Sequence, residues 1–336
     1  MEDPRRTTRR EALRLGAGAA SLLLLPRILR GGGGGGGEGV EVSPPEVLVD
    51  YAARLSFHRR LVFAEAVKAG ALPASAAEVA VDMEASIGCA LHSAYVLLND
   101  PRLESRGGPE VPGRPGYTEA GAAVAGSAHR DGTASPELAV DLLVATVTWR
   151  PILFDPGSLV VAFGAAHRRG TRQGIAHSSI TWARVGTWPE QPLLVPAPGQ
   201  KEVPPLYISS RPDVVPDEEG DSAGTPVTAF FPPGTAIREA RMRLEDGRGK
   251  EVEARLSSPE DPFPMEPDRR KEWLSRMLAL LPKKALRKKE TYRARFSAEV
   301  TPPGEDAKPR KWEGEWTFRT MEKHWDMRDR YAIEVR

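Results

Sequence analysis

Apolar residues in the first half of the chain recur at helical spacing, which predicts two long helices. The range 47–68 follows the spacing of one buried helix face, and a glycine and a proline mark its end. Ser75 and Glu78 form a capping box, so a second helix is predicted from there to about Leu98. The apolar stripe expected to face the core comprises Met83, Ile87, Leu91, Ala94 and Leu98. A polar edge beside this stripe carries Cys89, His92, Tyr95 and Asn99.

A third helix and two strands are predicted further along. Ser135 is a typical N-cap and Pro136 suits the first helical position, while Pro151 predicts the end of that helix. The ranges 158–163 and 175–185 have the apolar, β-branched composition of strands. Helices followed by antiparallel strands predict an α+β layered domain over residues 44–190.

The second half of the chain has the pattern of a small β-sandwich. Prolines recur between residues 188 and 216, which predicts an extended linker. Short strands are predicted after it, with a hairpin between 241–245 and 251–256, and the other strands at 226–231, 291–298 and 312–320. The range 268–281 fits a helix or a passage from helix to strand.

Composition limits the class of protein. With 336 residues, 40% hydrophobic and 28% charged, the chain is long enough for two ordinary globular domains. A formal net charge of +1 does not suit a nucleic-acid-binding protein. Cys89 is the only cysteine, so an intrachain disulfide is excluded, and we expect a small buried side chain there.

The N-terminus has the layout of an export signal. Two arginines, Arg9 and Arg10, precede an apolar run over residues 15–25, and this arrangement resembles a twin-arginine signal peptide. The run is about half the length needed to span a bilayer. We therefore expect a periplasmic or extracellular protein that is not integral to the membrane, unless an uncleaved signal anchors it. A short amphipathic helix on a cytoplasmic protein is the alternative. The heptaglycine tract at 31–37 fits a flexible tether.

Four ordered motifs in the first domain resemble those of one family. They are Cys89-x-x-His92-x-x-Tyr95, then Gly116-Tyr117-Thr118-x-x-Gly121, then Arg150-Pro151, and finally Phe163-Gly164. The stretch from about residue 50 to 186 resembles the CAP superfamily, also called the SCP domain, which comprises cysteine-rich secretory, antigen 5 and pathogenesis-related proteins. The chain is most similar to the bacterial exported branch, whose members often carry a C-terminal β module.

The resemblance implies a CAP-like α-β-α sandwich followed by a small all-β, Ig-like sandwich. The implied domains are an export signal and tether at 1–43, the CAP-like domain at 44–190, a linker at 191–205, the β-sandwich at 206–322 and a tail at 323–336. The resemblance also implies an open cleft, where many members gather two histidines and two acidic residues and can hold a divalent metal.

The resemblance assigns cleft roles to His92, Glu119, Tyr117 and Arg150. His92 fits an acid–base group or a helix histidine satisfied by a neighbour. Glu119 fits its partner or a helix cap. Arg150 fits a clamp on Glu119 or on a ligand carboxylate, or a structural ion pair.

The metal set of the family is incomplete here. Trp149 stands where a second histidine is expected, and Glu104 and Glu110 occupy the segment where bacterial relatives often place one. A zinc site usually needs three or four protein ligands, so we predict no metal and no cofactor. His129, His167 and His177 have no companions at ligand spacing and are expected on strands or the surface.

Three functions remain open. The first is an exported, non-enzymatic CAP-domain protein that binds an envelope partner or a small hydrophobic ligand. The second is a hydrolase that uses a reduced site of His92 and Glu119. The third is a structural envelope scaffold with a vestigial cleft. The basic run 283–289 fits a contact with anionic polymer or a solvated turn.

Overall fold

A computed structural model of the chain was used, and the residues that it describes form the body of the protein. Three predicted segments lie outside the described residues: the export signal and glycine tether up to residue 38, the part 268–273 of the predicted passage, and the tail from 323. The described ranges are 39–44, 46–100, 108–131, 133, 135–169, 174–184, 186–206, 223–263, 274–304 and 306–322.

The helices with described bounds lie in the first half of the chain, as the pattern predicts, and Leu274 in the second half is also helical. They are α1 (Glu46–Lys68), α2 (Met83–Asn99), α3 (Glu119–Ala125), α4 (Pro136–Ala145) and α5 (Arg150–Leu153). Together with three antiparallel-rich sheets they confirm the α+β class. The N-cap at Ser135 is confirmed, because its side chain accepts a hydrogen bond from the Leu138 amide.

Two predicted helix boundaries are wrong. The segment at Ser75 makes only a 3-10 turn (Ala74–Ala77), and α2 begins at Asp82, whose carboxylate accepts from the Ala85 amide. Val79, Ala80 and Val81, of which the two valines are β-branched, follow the turn and pair with a strand, so the helix cannot continue through them. Pro151 does not end α4, which stops at Ala145. It lies in the first turn of α5 instead, where its missing N–H is tolerated.

The first sheet lies between helices. Its strands are β1 (Val40–Val42), β2 (Val79–Val81), β3 (His129–Asp131), β4 (Ser158–Arg168) and β5 (Gly174–Arg184). The order is β1-β4-β5-β3, and β2 pairs with β4 in the one parallel contact among the described strands. The predicted signal-and-tether segment therefore ends in a strand, because β1 begins at Val40.

Alternation along β4 assigns the two faces of this sheet. Phe163 stacks on Tyr51 of α1 with ring centroids 4.6 Å apart, so this face covers α1 and α4. Gly164 faces the opposite way and meets the backbone of α2 at Ala90. The sheet is thus layered between α1 with α4 on one side and α2 on the other.

The second half forms two antiparallel sheets. The four-stranded sheet has the order β6-β7-β10-β9 and the three-stranded sheet has the order β12-β11-β8. The strands are β6 (Leu193–Val195), β7 (Val227–Phe230), β8 (Ala236–Glu245), β9 (Ala254–Ser257), β10 (Met277–Pro282), β11 (Thr291–Thr301) and β12 (Arg310–Arg319). The predicted hairpin between 241–245 and 251–256 forms only at its turn, where Glu245 bridges Glu251 and the Val252 amide donates to the Leu244 carbonyl at 2.8 Å. Away from the turn, β8 pairs with β11 and β9 pairs with β10.

The four-stranded sheet is buried on both faces. Along β10, Met277 and Ala279 belong to the core cluster that contains α1 and α4, whereas Leu278 and Leu280 belong to the cluster shared with the three-stranded sheet. Its buried run Met277–Pro282 is therefore apolar at every position, as expected for a strand with no solvent face. The two predicted domains share one continuous core, and the predicted linker contributes the strand β6 to it.

Candidate functional site

The face of α2 that enters the core differs from the predicted one. Leu98 is 38% exposed, and Met83, Ile87 and Leu91 are only half-buried, whereas Cys89, His92 and Tyr95 of the predicted polar edge are fully buried. Ala90 lies against Gly164 of β4, and Gly88 lies against Ala120 and Val124 of α3, so small residues on both contact faces let the helix pack closely. Close packing on the sheet therefore decides which side of α2 is buried.

His92 forms a buried pair with Glu110. His92 Nδ1 lies 3.1 Å from Glu110 Oε1, and the two side chains are 1% and 0% exposed. The other carboxylate oxygen, Glu110 Oε2, accepts a hydrogen bond from the Thr118 amide at 3.0 Å. The carboxylate that the structure places beside His92 is thus Glu110, and it connects α2 to the start of α3.

Gly121 makes room for this carboxylate. A Cβ on Gly121 would overlap Oε1 of Glu110 and would lie 2.8 Å from Thr118 Oγ1. Thr118 is the N-cap of α3 and accepts from the Gly121 amide at 2.9 Å. The Gly-Tyr-Thr-x-x-Gly segment therefore forms a helix start that accommodates the Glu110 carboxylate and donates a hydrogen bond to it.

The other motif residues of α2 hold the same loop. Tyr95 Oη accepts a hydrogen bond from the Val111 amide at 3.0 Å. Asn99 Nδ2 donates to the carbonyls of Tyr95 and Pro115, each at 2.8 Å. His92, Tyr95 and Asn99 thus fasten successive points of the loop 110–118 to one helix.

His177 completes the buried cluster, although no spacing in the sequence groups it with His92. Its ring lies edge-on to the His92 ring with centroids 4.5 Å apart, and its Nδ1 lies 2.9 Å from Ser93 Oγ. Burial, and then the neighbouring His92 and Arg130, hold the pKa of His177 well below its usual range. Its Nε2 has no hydrogen-bond partner among the described residues. Only the packing of α2 on β5 brings these histidines together.

Glu119 and Tyr117 lie nearer the surface. Glu119 is exposed at the first position of α3, where a carboxylate favours the helix dipole. Tyr117 is half-buried and packs against the cluster that contains Ala94 and Leu97. Of the predicted cleft pair, His92 is therefore buried with Glu110, while Glu119 faces solvent. Glu104 lies outside the described residues.

Arg150 joins the two halves of the molecule. Its side chain is 1% exposed in relative area, and Nε donates to the Val144 carbonyl at 2.8 Å. Nη1 donates to the Pro226 carbonyl at 2.7 Å and to Thr228 Oγ1 at 3.1 Å. These hydrogen bonds lead from Arg150 to α4 and to the start of β7. They do not correspond to the predicted role of Arg150 as a clamp on Glu119 or on a ligand carboxylate.

A second polar cluster lies at this junction. Asp141 of α4 accepts two hydrogen bonds from Arg54, at 2.7 and 2.8 Å, and lies 2.7 Å from His58 Nε2. Burial acts to raise the pKa of Asp141, but the hydrogen bonds from His58 and Arg54 outweigh it and the pKa is lowered. The adjacent cavity, which Arg150 and Glu202 also line, has a volume of about 30 Å³. That volume suits about one water molecule.

Asp131 is buried on the opposite face of the first sheet from His177. Burial raises its pKa to about 8, although the neighbouring Ser178 hydroxyl lowers it. Asp131 Oδ2, Ser178 Oγ and Tyr51 Oη lack well-formed hydrogen bonds within the described part of the chain. Burial likewise raises the pKa of the Cys89 thiol to about 12, so this thiol is not a nucleophile.

These clusters do not form a metal centre. Within the described ranges, no three or more His, Cys, Asp or Glu side chains are grouped so that they could hold a metal ion. Nor does any described helix have the length and apolar character that crossing a bilayer requires.

Comparison with known proteins gives no family. No family model and no curated protein matches the chain. The chain is 14% identical to PcoC, a methionine-rich copper resistance protein from Escherichia coli, with a TM-score of 0.23 over 39% of this chain and 96% of the other. It is 15% identical to CopC from Methylosinus trichosporium OB3b, with a TM-score of 0.21 over 38% and 88%. It is 18% identical to a DUF4426 family protein from Pseudomonas aeruginosa PAO1, with a TM-score of 0.14 over 28% of this chain and 73% of the other. Likenesses this slight carry no inference about fold or function.

Proposed function

We propose that this is an exported, non-enzymatic protein of the cell envelope that binds an apolar ligand or partner next to the loop 110–118. The observation that carries the proposal is the burial of His92 and Glu110 at 1% and 0% exposure. A substrate cannot reach groups so enclosed, and both make hydrogen bonds that fasten the loop. The histidine motif of α2 accordingly acts as a loop anchor.

Two exposed apolar side chains lie beside the anchored loop. Leu98 and Val111 are 38% and 45% exposed, which is unusual for large apolar side chains in this structure. Leu98 rests on Gly116, where φ is +78° and a Cβ would lie 2.7 Å from Leu98 Cδ1. Tyr117, half-buried, borders the same loop. Because hydrogen bonds from α2 fix the loop, this surface is held in place before any ligand arrives.

The ligand test uses a fluorescent fatty acid as the probe and the full chain as the protein. Replacing Leu98 and Val111 together with serine removes the two exposed apolar side chains beside the loop, so we expect binding to weaken by about tenfold or more. The control replaces Phe57 and Val81 with serine. These side chains are 42% and 43% exposed, and Val81 precedes the opposite end of α2. Equal loss in both double variants, or no binding by the unchanged protein, contradicts the proposed surface.

The non-enzymatic part has its own test. We expect no hydrolysis of ester or peptide substrates with or without added Zn²⁺. Metal-dependent turnover that disappears in His92→Ala, while that variant still folds, would instead support the hydrolase with a reduced His site.

Export is tested by fractionation in a bacterial host that has twin-arginine translocation. We expect Arg9→Lys combined with Arg10→Lys to retain the protein in the cytoplasm. Arg5→Lys combined with Arg6→Lys is the matched control and is expected to be exported normally. Cytoplasmic location of the unchanged chain would overturn this part of the proposal.

A further inference from the structure

The outer face of the three-stranded sheet carries a concentration of arginine. Arg238, Arg241 and Arg243 lie on β8, and Arg293 and Arg295 lie beside them on β11. These two strands contain no lysine. Two carboxylates lie among these arginines, Glu245 on β8 and Glu299 on β11. The acidic residues of β12, Glu313 and Glu315, lie at the other edge of the sheet. The face is therefore basic on its β8 side, although the whole chain is nearly neutral.

A β-bulge produces this alignment. Arg238 and Arg241 are three residues apart and would point to opposite faces of a regular strand. The register shifts between Ser297 and Glu299 of β11, so that Arg241 pairs with Ser297 and Arg238 pairs with Glu299 on the same face. Glu239 in the bulge has a positive φ of 49°, and its amide donates to Glu260 at 3.1 Å. A strained conformation retained by such a contact is often tied to function.

The arginines of this face differ in whether they form ion pairs. Arg295 Nη1 lies 3.1 Å from Glu245, and Arg243 Nε lies 3.5 Å from the same carboxylate. Arg238 and Arg241, both exposed, form no ion pair within the described residues. Along β8, side chains on one face recur about every 7 Å. Arg293 and Arg295 also pair with Glu315, so three of the five arginines are engaged in ion pairs. The N–H donors that remain available to an anion are those of Arg238 and Arg241.

We propose that this arginine face binds a linear phosphate polymer. Each guanidinium can pair two N–H groups with two oxygens of one phosphate, which an ammonium group does not do. The exposed large apolar side chains of the described residues all precede residue 183, so the face offers no apolar anchor for a membrane. Its exposed residues on β8 and β11 include no aromatic side chain on which bases could stack. This inference does not depend on the apolar surface described above.

The test measures binding of the full chain to immobilised inorganic polyphosphate over a series of salt concentrations. The variant replaces Arg238, Arg241 and Arg243 with glutamine, and we expect about tenfold or greater loss at low salt together with a shallower salt dependence. The matched control replaces three other exposed cations of the same region with glutamine, namely Arg248, Lys284 and Lys288, so that both variants lose three positive charges. We expect the control to retain binding, and circular dichroism confirms that both variants fold.

Two outcomes would overturn the proposal. Loss of binding in the control but not in the arginine variant would assign the site to the basic run 283–289. Binding of the unchanged chain to anionic vesicles but not to polyphosphate would assign the face to a membrane. Competition with free polyphosphate and with a glycerol-phosphate polymer distinguishes the two sources of phosphate. The proposal expects at least one of them to displace the protein.

Discussion

The pair of His92 and Glu110 stabilises the fold because both groups are buried and both make hydrogen bonds. Replacing Glu110 with alanine leaves His92 Nδ1 and the Thr118 amide without their acceptor. Buried polar groups that lose a partner usually cost about 2–4 kcal/mol in the free energy of unfolding. We expect that loss for Glu110→Ala in urea denaturation. Glu119→Ala, at the exposed start of α3, is the control and is expected to cost less than about 1 kcal/mol. Similar losses for the two variants would mean that the buried pair is not structural.

Asp131 makes the stability of the fold depend on pH. Its pKa rises from 3.8 to about 8 on folding, because burial disfavours the charged form. Between these values the folded state holds one proton more than the unfolded chain. The contribution of protonated Asp131 to the free energy of unfolding is therefore complete below about pH 4. It declines by about 1.4 kcal/mol per pH unit as the pH rises towards 8.

Asp131→Asn tests this assignment, because asparagine stays neutral at every pH. We expect the variant to lose less stability than the unchanged protein between about pH 5 and 8 in urea denaturation. Asp261→Asn, at an exposed position, is expected to follow the unchanged protein. A parallel decline in all three proteins would show that Asp131 does not titrate in this range.

At the scale of elements, periodicity and capping signals located most helices and strands. The helix at 47–68, the start of α4 at Ser135 and the strands β4 and β5 follow from apolar spacing and local chemistry. The start of α2 did not follow, because pairing of β2 with β4 overrides the capping box at Ser75. The orientation of α2 also depends on long-range packing against Gly164, which no local pattern encodes. For the same reason the partnership of His92 with His177 was not predictable.

Gly164 fixes the separation between α2 and the first sheet. A Cβ at this position would overlap the Ala90 amide and lie 2.5 Å from the Ser86 carbonyl oxygen, so two backbones would have to move apart. We expect Gly164→Ala to lower the free energy of unfolding by about 3 kcal/mol. Gly126→Ala is the matched control, since nothing lies within 4 Å of the added Cβ and its φ of −81° is ordinary. It is expected to change stability by less than about 1 kcal/mol. A small effect at Gly164 would indicate that α2 can shift freely.

At the scale of the molecule, the four-stranded sheet joins two regions that the sequence predicts as separate domains. Prolines between residues 188 and 216 indicated a linker, yet β6 lies within that stretch and pairs with β7. The prediction relied on composition, which does not reveal that both faces of β10 are covered. We therefore expect the described body to unfold as one cooperative unit.

Arg150 provides the test at this scale. Its guanidinium bonds α4 to β7, so Arg150→Met leaves several buried carbonyls unpaired and is expected to cost about 3–5 kcal/mol. Circular dichroism, which reports the helices, and fluorescence from the seven tryptophans, which lie in both halves of the chain, should still give coincident transitions. Arg60→Ala, which breaks an exposed pair with Glu78, is expected to cost less than about 1 kcal/mol. Two separated transitions in the unchanged protein would contradict the shared core.

The burial of α1 against strands from the far end of the chain has a consequence during synthesis. Leu55 and Phe63 of α1 share their core cluster with Met277 and Leu281 of β10. On a ribosome those partners emerge roughly 200 residues later, which is about 10–40 s at bacterial elongation rates. Throughout that interval the inner surface of α1 lacks its final cover, so the nascent chain is a substrate for chaperones. The twin-arginine signal that we propose would carry a folded passenger, and it would therefore act only when translation is almost finished.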